Sequence, residues 1–141
     1  MAVFVLDASI AVSWCFPEDP AEDTLYSRHI LALLTTHDAI VPEIWAFEVA
    51  NSIFVSFIKR KRITEQQIAE YLQTLKALPI SVEVRDLWST VDLESASRRW
   101  TLTSYDAAYL DLAIRKGLPL ATTDEALKTA ALAEGIEILT L

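Results

Sequence analysis

The chain has 141 residues, with 20 acids against 12 bases and a formal charge of −8, which excludes holding nucleic acid on a broad basic surface but not using acids as metal ligands. With 52% hydrophobic and 23% charged residues, a single packed domain over residues 1–141 is expected and disorder is not. One cysteine (Cys15), two histidines (His29 and His37) and two glycines exclude an internal disulfide, Cys-cluster zinc sites and glycine-rich phosphate loops, and leave histidine metal sites short of ligands.

Val3-Phe4-Val5-Leu6 is an uninterrupted apolar run that predicts a strand buried on both faces. Asp7 ends it, and Ala8 to Cys15 predicts a short helix stopped before Pro17. Pro17 to Asp23 is acidic and turn-like, and Thr24 to Leu34 has helical spacing. Ala39-Ile40-Val41 before Pro42 predicts a second strand. Glu43 to Ile58 is the strongest helix, and its apolar residues cover almost the whole circumference, so deep burial is expected. Ile63-Thr64 with Gln67 three residues on predicts a capping box opening a helix to about Ala77. Ser81 to Val84 predicts a third strand, followed by helices around Leu87 to Trp100 and Ser104 to Lys116. Gly117, after Arg115 and Lys116 and before Pro119, is a helix stop. Leu118 to Ala121 predicts a fourth strand, Asp124 to Ala133 a helix ended by Gly135, and Ile136 to Leu139 a last strand.

Strands alternating with helices predict an α/β fold, a three-layer α/β/α sandwich around a short, mostly parallel sheet. No stretch approaches the roughly 20 apolar residues of a membrane span. The N-terminal apolar run holds Asp7 and no preceding base, a poor signal peptide. A soluble, cytoplasmic protein is expected.

In open parallel sheets, sites form beyond the carboxyl ends of strands. Asp7 follows the first strand, Asp124 closely follows the fourth, and Asp106 lies in the first turn of the helix after Thr103-Ser104. Taken singly, each is accounted for as a helix cap or a complement to the helix dipole. Glu48 is different, because it sits on an apolar helix with no base within a turn, and a buried carboxylate is costly unless paired or bound to a cation. Its alternative partner is a distant arginine such as Arg98 or Arg99. Three or four carboxylates without His or Cys form the ligand set of hard cations such as Mg²⁺ or Mn²⁺.

Four segments together resemble the PIN-domain ribonucleases, in particular the VapC toxins of prokaryotic toxin–antitoxin pairs. They are Leu6-Asp7-Ala8-Ser9, Pro42 to Asn51, Thr103 to Ala113, and Leu120 to Leu127. The resemblance runs essentially end to end. It implies a PIN-like fold and a Mg²⁺- or Mn²⁺-dependent endoribonuclease whose acidic quartet is Asp7, Glu48, Asp106 and Asp124. Asp7 and Asp106 would be the principal ligands of the first ion. Glu48 would orient a bound water or share that ion, and Asp124 would serve a second ion or the attacking water. Ser9, Asn51 and Thr122 match supporting polar positions. The resemblance further implies a VapB-like antitoxin as partner, an RNA substrate, and a homodimer or a toxin–antitoxin hetero-oligomer. Apolar helices around Trp14 and Leu25 to Leu34 would supply a groove for the antitoxin.

Lys59-Arg60-Lys61-Arg62 reads either as a solvated helix end or as a grip on RNA phosphates. Asp111, five residues beyond Asp106, points away from it and is expected to face solvent. Two other readings compete with the nuclease. One is a non-catalytic PIN-like module that sequesters a protein or RNA partner. The other is a phosphatase-like domain, which would want Asp-x-Asp where Ser9 stands. No Gly-x-Ser-x-Gly elbow supports a serine nucleophile.

Overall fold

A computed structural model of the chain describes residues 2–22 and 24–141. Asp23, the last residue of the predicted acidic turn, lies outside them. Four parallel strands, β1 (Val3–Leu6), β2 (Asp38–Pro42), β3 (Ile80–Glu83) and β4 (Leu120–Ala121), form one sheet in the order β3-β2-β1-β4. Val5 pairs with Ile40 on one side and with Leu120 on the other. Phe4, Val5 and Leu6 are all essentially inaccessible. Successive strand residues point to opposite faces, so both faces of β1 are covered, as its apolar run predicts.

The helices are α1 (Ala8–Ser13), α2 (Leu25–Leu33), α3 (Ile44–Phe54), α4 (Glu65–Lys76), α5 (Leu87–Val91), α6 (Leu93–Trp100), α7 (Ser104–Lys116) and α8 (Glu125–Ala133). Helices precede and follow every strand after β1, giving the α/β/α architecture. The capping box at α4 forms in both directions between Thr64 and Gln67. Helix α7 is the spine of the core: Ala107, Tyr109, Leu110, Leu112 and Ala113 are fully buried on it. Each buried leucine of this kind contributes about 1.5–3 kcal/mol relative to exposure. No helix among the described residues is long and apolar enough to cross a membrane.

Four expectations are corrected. The fourth strand begins only at Leu120, because Gly117 (φ +64°) ends α7 in the left-handed region and the Leu118 amide donates back to Ala113 O at 2.9 Å. Pro119 then has no amide to offer a ladder. The last strand consequently has little to pair with, and Ile136 to Leu139 adds only the single bridge Leu120–Ile138. The predicted stretch Leu87 to Trp100 is two helices that meet at Asp92.

The deep burial expected for Glu43 to Ile58 is the fourth correction. Helix α3 presents three faces. Trp45 and Val49 enter the core, and Glu48, Asn51, Ser52 and Val55 line a cleft. Phe47, Phe54 and Ile58 are more than half exposed. An apolar circumference therefore does not place a helix in the interior, since a surface can also be apolar. After Phe54 the chain widens into a π-helical turn, Val55–Lys59.

Candidate metal centre

Asp7 and Asp124 come together because β1 and β4 are neighbours. Leu6 pairs with Ala121, and the Asp7 amide donates to Ala121 O at 3.0 Å. The order β3-β2-β1-β4 reverses direction at β1, so the crevice beyond β1 and β4 is the switch point of the sheet. Both acids also cap helices. Asp7 Oδ1 accepts the Ser9 amide at 3.4 Å, and Asp124 Oδ1 accepts the Leu127 amide at 2.8 Å. Capping thus occupies one oxygen of each carboxylate.

Asp7 Oδ2 instead accepts the hydroxyl of Thr122 at 2.7 Å. Thr122 is fully buried, and its oxygen accepts the Asp124 amide at 3.1 Å. Asp106 stands in the first turn of α7, where its amide donates to the capping hydroxyl of Thr103 at 3.2 Å. Glu48 approaches from α3, which follows β2. Its Oε1 accepts the hydroxyl of Tyr109 at 2.6 Å.

Asp7, Ser9, Glu48, Asn51, Asp106 and Asp124 line one cleft of about 550 Å³. Thr122 does not line it and acts on it through Asp7. Phe16, Glu22 and Thr123, none of them singled out in the sequence, also line the wall. Of the basic run, Arg60 and Arg62 face the cleft, while Lys59 and Lys61 do not. Arg62 is ion-paired with Asp19 and Glu22, and its guanidinium lies 4.0 Å from the centre of the Phe16 ring.

The electrostatics of the cleft are those of crowded acids. Burial raises the pKa of Asp7, opposed by hydrogen bonds from Thr122 and Ser9, and repulsion from Asp124 adds to the rise. Burial also raises Glu48, against the Tyr109 hydrogen bond and with repulsion from Asp7 and Asp106. Asp106 is raised by burial and then by Asp124 and Asp7. The ion pairs among the described residues involve none of the four acids. Arg98 pairs with Glu94, and Arg99 lies over Trp100, so neither answers Glu48. Its partner is the neutral phenol of Tyr109, which the sequence reading missed. The available signal was a tyrosine three residues after Asp106 on the same helix face.

Among the described residues no three His, Cys, Asp or Glu side chains converge closely enough to enclose an ion. The donor set is nevertheless all oxygen, partly desolvated, mutually repelling and, among the described residues, not ion-paired. That set fits a hard divalent cation that keeps several waters and takes one or two carboxylates, and not a closed all-protein cage. Asp111 lies elsewhere, and the expectation that it faces solvent is corrected. It is mostly buried and bonded to Arg85 and Arg115, each at 2.7 Å.

A family model described as PIN domain matches residues 4–132. The chain is also similar to the crystal structure of PAE2754 from Pyrobaculum aerophilum, with a TM-score of 0.67 and 17% identity over 92% of this chain and 84% of that one. At that identity the likeness speaks to the fold. No curated protein matches the chain. With 129 of its residues covered, the chain belongs to the PIN domain family.

Proposed function

We propose that the protein is a divalent-metal-dependent endoribonuclease, the VapC-type toxin of a toxin–antitoxin pair, acting in the cytoplasm as a single-domain catalytic unit. PIN domains are generally nucleases that use divalent ions, which supports the coarser part of this reading. The observation that carries it is the convergence of Asp7, Glu48, Asp106 and Asp124 on one cleft at the sheet's switch point with no cation paired to them.

Asp7 and Asp106 hold Mg²⁺ or Mn²⁺ in this reading, Glu48 orients a water, and Asp124 flanks the second side of the cleft. Ser9 and Thr122 hold Asp7 in place, and Asn51 lines the same wall as Glu48. A bound ion supplies the charge that acidifies a water and offsets negative charge on the leaving oxygen of the phosphodiester. Arg60 and Arg62 meet the RNA phosphates at the cleft edge, and Lys59 and Lys61 add only diffuse charge.

An active ribonuclease needs restraint, and a VapB-like antitoxin fits the surface. Trp14, Leu31, Leu75 and Leu78 line a second, more apolar cleft of about 250 Å³. The exposed Phe47, Phe54 and Ile58 suit a homodimer or a hetero-oligomer with the antitoxin.

The test is to sequence RNA ends after induced expression of the wild type, Asp7→Asn and Asp106→Asn, alongside cleavage by the purified proteins. Divalent-dependent cutting that both variants lose while still folded supports the reading. Full activity of both variants, or cutting that persists in excess EDTA, overturns it. A wild type that binds RNA or a partner but never cuts with Mn²⁺ identifies a non-catalytic binding module.

A further inference from the structure

Among the described residues Tyr109 is the hydrogen-bond partner of Glu48, and no hydrogen bond reaches Glu48 Oε2. The tyrosine is fully buried on α7, so its hydroxyl is a fixed post and cannot follow the carboxylate outward. Asp106 stands one turn earlier on the same helix and lines the cleft. One side chain therefore ties the carboxylate of Glu48 to the helix that carries Asp106.

Glu48 needs such a post. It is half-buried, and its neighbours Asp7 and Asp106 both repel it. A lysine or arginine would hold it equally well but would cancel the charge that a cation requires. A phenol holds one oxygen and leaves the charge in place. Burial and the Glu48 carboxylate both raise the pKa of Tyr109, which keeps the phenol protonated as a donor.

We propose that Tyr109 is a positioning residue of the site, its hydroxyl anchoring Glu48 Oε1 so that the carboxylate stays directed into the cleft. This role rests on the nuclease reading above.

The experiment compares Tyr109→Phe with Tyr71→Phe. Each loses one buried tyrosine hydrogen bond, because the Tyr71 hydroxyl donates to Ala11 O at 2.5 Å away from the cleft. Thermal melts establish that both are folded. The readouts are kcat and KM on a fluorogenic RNA and the Kd for Mn²⁺ by titration calorimetry. Tyr109→Phe is expected to lose about 10-fold in kcat and in Mn²⁺ affinity with KM within about twofold, the scale typical of groups that orient metal ligands. Tyr71→Phe is expected to keep both. Added to Glu48→Gln, Tyr109→Phe is expected to cost nothing more, because it acts through that carboxylate. A Tyr109→Phe protein that matches Tyr71→Phe in kcat and Kd, or full additivity with Glu48→Gln, overturns the role while leaving the nuclease intact. A wild type that binds Mn²⁺ without cutting leaves the titration to decide. A wild type that neither cuts nor binds Mn²⁺ overturns both readings.

Discussion

Thr122 donates its hydroxyl to Asp7 Oδ2 across 2.7 Å and, through the same oxygen, accepts the amide of Asp124 at 3.1 Å. A single buried side chain after β4 thereby orients the acid after β1 and fixes the start of α8. Thr122→Val keeps the shape and removes the hydroxyl, leaving Asp7 Oδ2 without a donor and the Asp124 amide without an acceptor. The expected loss of stability is about 1–3 kcal/mol, the usual cost of orphaning a buried polar group. Urea denaturation at pH 7 measures it. Thr122→Ser, which keeps the oxygen, is expected to lose clearly less, and equal losses would contradict the hydrogen-bond account.

The raised pKa values of Asp7, Glu48 and Asp106 fix the sign of a pH effect. A carboxyl with a folded pKa above its unfolded value binds more protons in the native state across that interval. Its contribution to stability is fully present below the unfolded pKa, 3.8 for Asp and 4.5 for Glu, and is lost as pH rises through the folded value. At neutral pH these three acids therefore strain the metal-free protein. Asp7→Asn retains a good capping residue and is expected to raise the metal-free melting temperature at pH 7. The gain should shrink as pH falls toward 3.8. Melting curves from pH 4 to 8 in EDTA test this, and a gain that grows on acidification would contradict it.

The parts of the fold legible in the sequence were those set by local chemistry. The β1 run, the Thr64–Gln67 box, the Gly117 stop and the cap at Asp124 each follow from side chains a few residues apart. Strand ends and helix starts mark Asp7, Asp106 and Asp124 as candidates, and Glu48 stands out as an acid on an apolar helix. What was not legible depends on partners distant in the chain. The phenol that meets Glu48 comes from α7, and the outward turn of Phe47 and Phe54 depends on what else covers the sheet. Asp111 was misread because helical angle alone says where a side chain points and not that Arg85 waits there.

Asp111 gives a contrast with the cleft acids. It joins Arg85 and Arg115, and Arg115 in turn grips Glu83 at the edge strand β3. The Arg85 side chain is only 17% exposed, so Asp111→Ala leaves a largely buried guanidinium without its carboxylate. A loss of about 1–3 kcal/mol is expected, with RNA cleavage per folded molecule and Mn²⁺ affinity unchanged. A weaker Mn²⁺ isotherm for this variant would place Asp111 in the metal site after all.

Arg60 and Arg62 both face the cleft yet should separate on mutation. Arg62 is committed to Asp19, Glu22 and the Phe16 ring, so Arg62→Ala is expected to cost about 1 kcal/mol of stability as well as RNA affinity. Arg60 is exposed and has no ion pair among the described residues. Arg60→Ala is expected to leave stability within about 0.5 kcal/mol. It should lower the slope of log affinity against log salt by up to about 1 if it contacts a phosphate. RNA binding by Asp7→Asn, the variant expected not to cut, across about 50–200 mM salt, with and without each arginine change, provides the slopes.

Metal binding should show itself as stability before it shows as activity. A ligand that binds only the native state at 100 times its Kd adds about 2.7 kcal/mol, and here the ion also relieves repulsion among Asp7, Glu48, Asp106 and Asp124. Mn²⁺ is therefore expected to raise the melting temperature of the wild type in a concentration-dependent way, and EDTA to reverse it. Protons compete for carboxyls whose pKa values are raised, so the Mn²⁺-induced shift should shrink as pH falls toward the ordinary carboxyl range. Asp7→Asn and Asp106→Asn should lose most of the shift, while Asp111→Ala should keep it. A shift of equal size in all four proteins would place the ion elsewhere on an acidic surface, and the cleft would lose its claim as a metal centre.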